Sequence, residues 1–386
     1  MLQRLKFLTS GESHGKGLSG ILEGFPAGVP LSEAFIAKDL ARRQKGHGRG
    51  GRMTIETDHA EVMTGLRHGK TLGSPIALWI ENRDWKNWKA DRMSHEALPE
   101  PTPEVTLPRP GHADLAGIQK FGFTDIRNVL ERSSARETAM RVALGAVCRS
   151  FLAELDIKIA SHVLQIGPVK AENILASDLE ELNHSADKST VRCLDDQAGQ
   201  AMIKHIDEKR KEGDSIGGIF EVLASGLPAG LGSYTHWDRK LDARLAAAMM
   251  SINAMKAVSF GDGLNVADAS GSQVHDEIVL EGESIRRATN HAGGIEGGMS
   301  NGELIRAQVT MKPIPTLARP LRSVDIKTRE PGIAHKERTD ACAVPAASVI
   351  GEAMMALVLT DAILEKFGGD SLDQVKAHMQ ATGVTS

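Results

Sequence analysis

The stretches GFPAGVPLSEAFIAKDLARRQ at 24–44 and GLPAGLGSYTHWDRKLDARLA at 226–246 align without a gap, with seven of 21 positions identical. Chance recurrence of PAG turns would explain Gly24/Gly226, Pro26/Pro228, Ala27/Ala229 and Gly28/Gly230, but not Lys38/Lys240, Ala41/Ala243 and Arg42/Arg244 at the same offset. Each copy reads as a strand end, a GxPAG turn and a helix, followed by a Gly-rich loop, a strand and a second Gly-rich turn, GKTLGSPI and then GMSNGELI. Self-similarity at a fixed offset is the mark of an internal repeat. It predicts an α+β chain of two pseudo-two-fold related halves, near 1–200 and 201–386, with helices packed between or against two sheets.

Outward from the repeat, helical periodicity runs through 32–44, 135–155, 198–212, 238–258 and 345–367, the last opening just after Pro345. Short half-polar runs read as strands: Leu5 to Leu8, Met53 to Glu56, Ile76 to Ile80, Ile219 to Leu223, Glu277 to Leu280 and Leu304 to Met311. Such alternation suits antiparallel sheets with one covered face. The segments 84–107 and 318–342 are long and lack a period, which makes both candidate lids.

Composition narrows the function classes. With 41% hydrophobic and 25% charged residues the chain reads as a folded soluble protein and not as a disordered, collagen-like or coiled-coil one. The net charge of -4 argues against a general nucleic-acid binder, so any anion site must be local. Three scattered cysteines, Cys148, Cys193 and Cys342, make neither a disulfide framework nor a CxxC-type zinc site, and no metal is expected. The N-terminus lacks the apolar core of a signal peptide, and the run AMMALVL is bounded by Glu352 and Asp361, so the expectation is a cytoplasmic protein with no membrane span.

The motifs are Gly-rich, Arg-rich and punctuated by His. GESHG at 11–15 fits a GxSxG nucleophile elbow centred on Ser13, but the Gly-rich, strand-like LSGILEGFP follows where an elbow needs a helix. His14 between glycines reads instead as an acid or anion ligand, or as a simple turn histidine. GHGRGG at 46–51 follows a helix, so it is no dinucleotide fingerprint, and GLRHGKT at 65–71 is one residue short of a P-loop. RRQKGHGRGGRM gathers Arg42, Arg43, Arg49 and Arg52, a set that fits carboxylate or phosphate but also a solvated basic loop. PRPGHADL fixes Arg109, His112 and Asp114 behind two prolines. In ERSSARETAMR the hydroxyls of Ser133 and Ser134 could cap a helix, although capping leaves Arg132 and Arg136 unexplained. HAGGIEGGMSNG and MKPIPT suit a flat cofactor lying against backbone, or loop closure alone. ERTDACAVPAA brings Arg338 and Asp340 together before a helix, where an ordinary surface ion pair would also fit.

GESHG, RQKGHGRGGRM, PRPGHADL, RSSARETAMR, SINAMKAVSFGDG, GGIEGGMSNG, MKPIPT and RTDACAVPAA, in that order, resemble the chorismate synthase family of bacteria over nearly the whole chain. No single motif is specific, but eight in order are. The resemblance implies a single domain over 1–386, a β-α-β sandwich with central helices between antiparallel sheets, usually assembled as a homotetramer. It implies a lyase of the shikimate pathway and aromatic amino acid biosynthesis, converting 5-enolpyruvylshikimate 3-phosphate to chorismate and phosphate by a 1,4-anti elimination that requires reduced FMN. By motif, His14 would protonate the departing phosphate, His112 would protonate or steady the flavin near N1, and Asp340 would act with flavin N5 on the C6 proton. Ser13, Arg43, Arg49, Arg109, Arg136 and Arg338 would hold the substrate. Arg132, Ser133, Ser134, Asn253, Ala254, Gly297, Lys312, Pro313, Ile314, Pro315, Thr316 and Arg338 would hold FMN. Thr339 stands where many members carry His or Ser, which bears only on local hydrogen bonding.

Some fungal relatives reduce their flavin with NADPH; here no appended reductase domain is apparent, so an external flavin reductase or other reductant is the expected partner. Two other readings use the same basic loops: a flavin oxidoreductase with a nicotinamide site, and a non-catalytic polyanion-binding protein. Neither accounts for the ordered His and Asp motifs.

Overall fold

Both GxPAG stretches end a strand at a glycine no other residue could replace: Gly24 (φ +83°) and Gly226 (φ +76°) lie so close to the carbonyls of Arg4 and Asp156 that a Cβ would strike them. The turn is then fixed by one hydroxyl residue from the next Gly-rich loop. Thr71 Oγ1 donates to Pro26 O (2.7 Å) and accepts from Val29 N–H (3.0 Å). Ser300 Oγ does the same with Pro228 O (2.7 Å) and Leu231 N–H (2.8 Å). The backbone repeats the match, with Gly28 N–H donating to Thr71 O at 2.9 Å and Gly230 N–H to Ser300 O at 2.7 Å.

The computed structural model describes residues 2–50, 57–100, 102–172 and 178–383. The expected strand Met53 to Glu56, and Gly51 and Arg52 of the basic loop, lie outside them. The strands are β1 (Lys6–Ser10), β2 (Gly17–Glu23), β3 (Glu61–Val62), β4 (Leu66–Arg67), β5 (Lys70–Thr71), β6 (Ile76–Glu81), β7 (Lys158–Ile166), β8 (Val169–Lys170), β9 (Gly218–Ser225), β10 (Met255–Phe260), β11 (Ile278–Glu281), β12 (Ser284–Arg287), β13 (Ile295–Glu296), β14 (Met299–Ser300), β15 (Ile305–Met311), β16 (Arg322–Val324) and β17 (Pro331–Ile333). The helices are α1 (Glu33–Gln44), α2 (Asp114–Phe121), α3 (Arg127–Leu130), α4 (Thr138–Ala153), α5 (Leu179–Lys188), α6 (Asp196–Glu212), α7 (Leu241–Met250), α8 (Gly271–Val274), α9 (Val344–Phe367) and α10 (Leu372–Ala381).

Two larger antiparallel sheets result among the described residues, ordered β1-β2-β6-β3 and β10-β15-β9-β7-β8, beside the two-stranded pairs β4-β5, β11-β12, β13-β14 and β16-β17. Helices α4 and α9 fill the space between them, touching where a Cβ on Gly145 would lie 2.6 Å from Ala353 Cα. On one side α4 seats Met140 and Leu144 over Gly20 of β2, and on the other Gly351 of α9 lies against Phe220 and Val222 of β9. The outer face of the second sheet is partly covered by α5, through Leu179 and Leu182 on Ala160 and Leu223. Strand β7 at 158–166, which precedes residue 200, pairs in the second sheet beside β9.

One helix expectation fails. The 238–258 segment stays helical only to Met250, because Ala254 turns into the left-handed region (φ +69°) and 255–260 pairs with β15 as a strand. The two helices also differ in extent: Lys38 lies inside α1, whereas Lys240 only caps α7, so the end of α1 corresponds to the first turns of α7.

Helix α9 has 24 residues, and an 18-residue window of it has mean hydropathy 1.7, enough to cross a membrane by length and composition, yet that window is wholly buried inside the protein. Its two fully buried acidic residues, Glu352 and Asp361, each take an arginine from one of the two matched stretches. Arg42 donates to both Glu352 oxygens (2.8 and 2.7 Å), joined by Arg149, Arg192 and Ser161. Arg244 pairs with Asp361, whose carboxylate also accepts the N–H groups of Gln3, Arg4 and Leu5 at 2.7–3.0 Å. Burial alone would raise the Glu352 carboxyl, but Arg42, Arg149 and Arg192 overcome it and hold it far below its ordinary 4.5. Removing one member of a buried ion pair costs about 3–5 kcal/mol, so Glu352→Gln is expected to destabilise the fold by that order in urea unfolding near pH 7. A carboxyl depressed on folding contributes stability above its unfolded value and loses it as pH falls, so the gap between wild type and variant should narrow below pH 4.5. A gap unchanged down to about pH 3 would contradict the assignment.

Candidate active site

Consecutive residues on a helix point about 100° apart, and α1 uses this at its last turn. Arg42 faces the ion network on α9 while Arg43 faces a cavity of about 490 Å³. Arg42 is therefore a core residue and not the anion ligand that the basic loop suggested. Arg43 is held by Thr138 Oγ1 (2.9 Å), Ala135 O (3.0 Å) and Asp58 (3.4 Å). Asp58 also takes Arg136, whose Nε donates to Asn82 Oδ1 at 3.0 Å. Burial, with Arg49 and Arg136 nearby, pushes the Arg43 guanidinium down to about 10 despite Asp58. Positive charge is thus crowded at this wall.

The loop after α1 is zipped to the segment before α9. Ala341 N–H donates to Gly48 O (2.8 Å), Gly50 N–H to Asp340 Oδ1 (2.6 Å), and Arg49 pairs with Asp340 Oδ2 at 2.8 Å. The Gly50 N–H is thus taken up by Asp340.

The PRPGHAD turn carries the second histidine. Gly111 takes φ +77° and His112 N–H donates to Arg109 O (3.2 Å), closing the turn. Asp114, fully buried at the start of α2, accepts from His112 Nδ1 (2.6 Å), Arg109 Nε (2.8 Å) and Arg109 N–H (3.0 Å). Burial opposes the Asp114 charge, but His112 and Arg109 hold its carboxyl well below the usual range. Arg109 Nη1 reaches Thr316 Oγ1 at 2.9 Å, so this arginine is committed to protein partners.

His14 mirrors that arrangement. Its Nδ1 lies 2.9 Å from Glu131 Oε2, which also accepts the His14 N–H at 2.9 Å, and Arg127 Nη1 holds the other oxygen at 2.9 Å. The Trp88 ring lies on the imidazole with centroids 4.0 Å apart. Asp84 anchors that loop by accepting from Trp88 Nε1 (3.3 Å) and Arg338 (2.8 Å). The 84–107 and 318–342 segments meet each other, with His335 N–H on Leu107 O (3.0 Å) and Ser323 Oγ on Pro108 O (2.6 Å).

The remaining wall is made by Ser133, Ser134, Asn253, Ala254 and the 312–316 turn. Ser134 caps the short helical turn at 135–137 through Arg136 N–H (3.3 Å). Asn253 Nδ2 donates to Ser133 O (3.1 Å), while its buried Oδ1 has no partner among the described residues. A buried carbonyl oxygen of this kind calls for a donor that the described residues do not supply. Lys312 Nζ donates to Gly111 O at 2.5 Å, and burial, then Lys256, lowers its ammonium from the ordinary value.

Of the expected site residues, Ser13, His14, Arg43, Arg49, Arg109, His112, Ser133, Ser134, Arg136, Asn253, Ala254, Lys312, Ile314, Pro315, Thr316, Arg338 and Asp340 line this cavity. Three do not. Arg132 turns to the first sheet, donating to Thr9 O (2.7 Å) and Gly11 O (3.1 Å); Gly297 sits in the β13–β14 hairpin; and Pro313 stays out of the wall. The lining includes six Arg or Lys residues against only two carboxylates, Glu337 and Asp340. Sequence reasoning missed Asp58, Asn82, Trp88, Arg127, Glu131 and Glu337. A readable trace was the i,i+4 spacing of Arg127 and Glu131.

A family model described as chorismate synthase matches residues 5–364. The chain is 54% identical over 381 residues to a chorismate synthase of Bacillus pumilus (strain SAFR-032), covering 97% of this chain and 98% of the relative. Against the chorismate synthase of Bacillus subtilis (strain 168) the identity is 53%, with the same coverage. A crystal structure of chorismate synthase superposes with a TM-score of 0.80 at 43% identity, covering 100% of this chain and 99% of that one.

A cavity with crowded guanidinium groups should take an anion. Inorganic phosphate at about 10 mM is expected to raise the thermal midpoint of the wild type by mass action, and to do so less in Arg43→Ala and Arg136→Ala. Equal shifts in all three proteins would place the anion elsewhere.

Proposed function

From the premise that the chain belongs to the chorismate synthase family, we propose that the cavity described above is its active site. The protein is a lyase of the shikimate pathway, converting 5-enolpyruvylshikimate 3-phosphate to chorismate and phosphate. The observation that carries the site assignment is the cationic wall in which both histidines stand, because the substrate brings two carboxylates and a phosphate.

Arg43, Arg49 and Arg136 grip the substrate anions, with Arg338 adding charge at the rim and Arg109 acting through Asp114 and His112. In the 1,4-anti elimination the allylic C–O bond breaks, a proton leaves C6, and phosphate departs. His14 delivers a proton to the departing phosphate, which stabilises the leaving dianion. The Asp340 carboxylate, positioned by the Gly50 N–H and Arg49, receives the proton lost from C6. His112, with its Nδ1 proton on Asp114, stands in the cavity wall on the cofactor side.

The residues present fit reduced FMN. Asn253 Oδ1 needs a donor, the serine hydroxyls and Lys312 suit a phosphate, and Ile314, Pro315 and Ala254 offer a flat apolar surface beside Thr316. Ser133, Ser134, Asn253, Ala254, Lys312, Ile314, Pro315, Thr316 and Arg338 would hold it. Bound there, reduced FMN would supply electron density to the breaking C–O bond. Supply of the reduced cofactor by an external reductase, a cytoplasmic setting, and a single domain built as a pseudo-two-fold β-α-β sandwich belong to the same proposal. The matched turns at Thr71 and Ser300 support the repeat. Assembly into a homotetramer is supported by the β11–β12 hairpin, which leaves Ile278, Leu280 and Ile285 72–77% exposed.

The test is anaerobic turnover of 5-enolpyruvylshikimate 3-phosphate with dithionite-reduced FMN, following chorismate absorbance and phosphate. Equal release of both, and none with oxidised FMN, is expected. NADPH-driven reduction of a second substrate would point to an oxidoreductase instead. His14→Ala and His112→Ala should each lower turnover at least about tenfold, ~1.4 kcal/mol of barrier, with the fold intact. Arg49→Ala should raise KM more than it lowers kcat, since anion contacts act in ground and transition states alike.

A further inference from the structure

The two cavity histidines, 98 residues apart in sequence, share one construction: Nδ1 on a buried carboxylate that an arginine grips from behind. At His112 the partner is Asp114, two residues away in the same turn. At His14 it is Glu131, contributed from another part of the chain. We propose that Glu131 is the positioning residue for His14, fixing the imidazole with a proton on Nδ1 so that Nε2 is the nitrogen that meets substrate.

The contacts leave the ring little choice. A carboxylate accepts and cannot donate, so Nδ1 at 2.9 Å must carry the proton. Glu131 Oε2 also takes the His14 N–H, and Glu131 O takes the Ser13 N–H at 3.0 Å, which fixes the backbone along with the ring. Arg127 is tied to Glu131 and, at 3.3 Å, to Glu337, and its guanidinium lies over the Trp88 ring at 5.3 Å. Trp88 in turn packs on the imidazole. The charged groups around His14 are thus Glu131, Arg127 and Glu337, with Arg92 on Trp88 beyond. Burial opposes the charge on Glu131, but its bonds from His14 and Arg127 hold the carboxyl below its ordinary range, so it remains an acceptor. Without it, His14 would be free to place its proton on either nitrogen, and a positive imidazole would lose its counter-charge.

This rests on the reading of His14 as the proton donor to phosphate, and the test separates the two. Long-range ¹H–¹⁵N correlation of the histidine rings, in full-length protein without cofactor or substrate, should show His14 protonated at Nδ1 in the wild type and mixed tautomers in Glu131→Ala. In turnover, Glu131→Gln should lose about 10–100-fold in kcat with KM changed little, because the amide cannot accept at all three donors. The acidic limb of its kcat–pH profile should move. Glu131→Ala in a His14→Ala background should cost nothing further, since it acts only through the ring. A Glu131→Ala ring still wholly protonated at Nδ1, or an equal fold-loss with and without His14, would overturn the proposal. Full activity of His14→Ala would overturn the role of His14 in turnover, and the ring tautomer would still decide whether Glu131 fixes it. Should Glu131→Ala fail to fold, the isosteric Glu131→Gln carries both measurements.

Discussion

Two carboxylates inside an apolar helix organise this fold. Glu352 and Asp361 are buried on α9, and each is compensated by an arginine that follows one of the matched GxPAG turns, Arg42 and Arg244. Charge taken out of water is tolerated only with close, well-aligned partners, so these pairs define where α1 and α7 lie against α9. Asp361 extends the constraint to the first strand by accepting three successive N–H groups at residues 3–5. A purely apolar α9 could slide or rotate between the sheets; with these acids it has one register.

That register aims the site. Arg42 and Arg43 are neighbours on α1, so anchoring Arg42 to Glu352 sets the roll that turns Arg43 into the cavity. The opposite wall is contributed by the second half: Asn253 and Ala254 follow α7, Lys312 to Thr316 follow β15, and Arg338 and Asp340 precede α9. The left-handed Ala254, its carbonyl fixed by Lys312 N–H at 3.0 Å, lies at the junction of these segments. Strain of this kind survives only where surrounding structure imposes it.

How much of this was readable in the sequence follows from what each residue depends on. His14, His112 and Asp340 were legible through the ordered motifs of the family resemblance, and for the two histidines the glycines and prolines beside them also announce a fixed backbone. The matched GxPAG turns were legible because turn chemistry is local. Whether Arg42 or Arg43 faced the cavity was not, since that depends on which arginine α9 captures. The same holds for Arg132 and Arg136, which diverge to Thr9 and to Asp58 from one turn. Strand β7 escaped notice because α9 covers one face and α5 the other, so its sequence does not alternate. Asp58 and Trp88 lie far in sequence from Arg136 and His14, and although Glu131 opens the ERSSARETAMR motif, nothing in sequence marks it as the partner of His14, 117 residues away.

The acids behind the wall explain how a chain of net charge -4 maintains a cationic cavity. Asp58 holds Arg43 and Arg136, and Asp114 holds Arg109, so the guanidinium groups of the wall are fixed in place, while Glu131 holds Arg127 behind His14. Arg43 shows that compensation is incomplete, since burial and neighbouring arginines outweigh Asp58 there. An anionic ligand would relieve that crowding, and its binding would be strongest where water is excluded. Holding the guanidinium groups before the ligand arrives lowers the cost of ordering them on binding. The same carboxylates orient both imidazoles, so anion binding and proton placement depend on one set of buried acids.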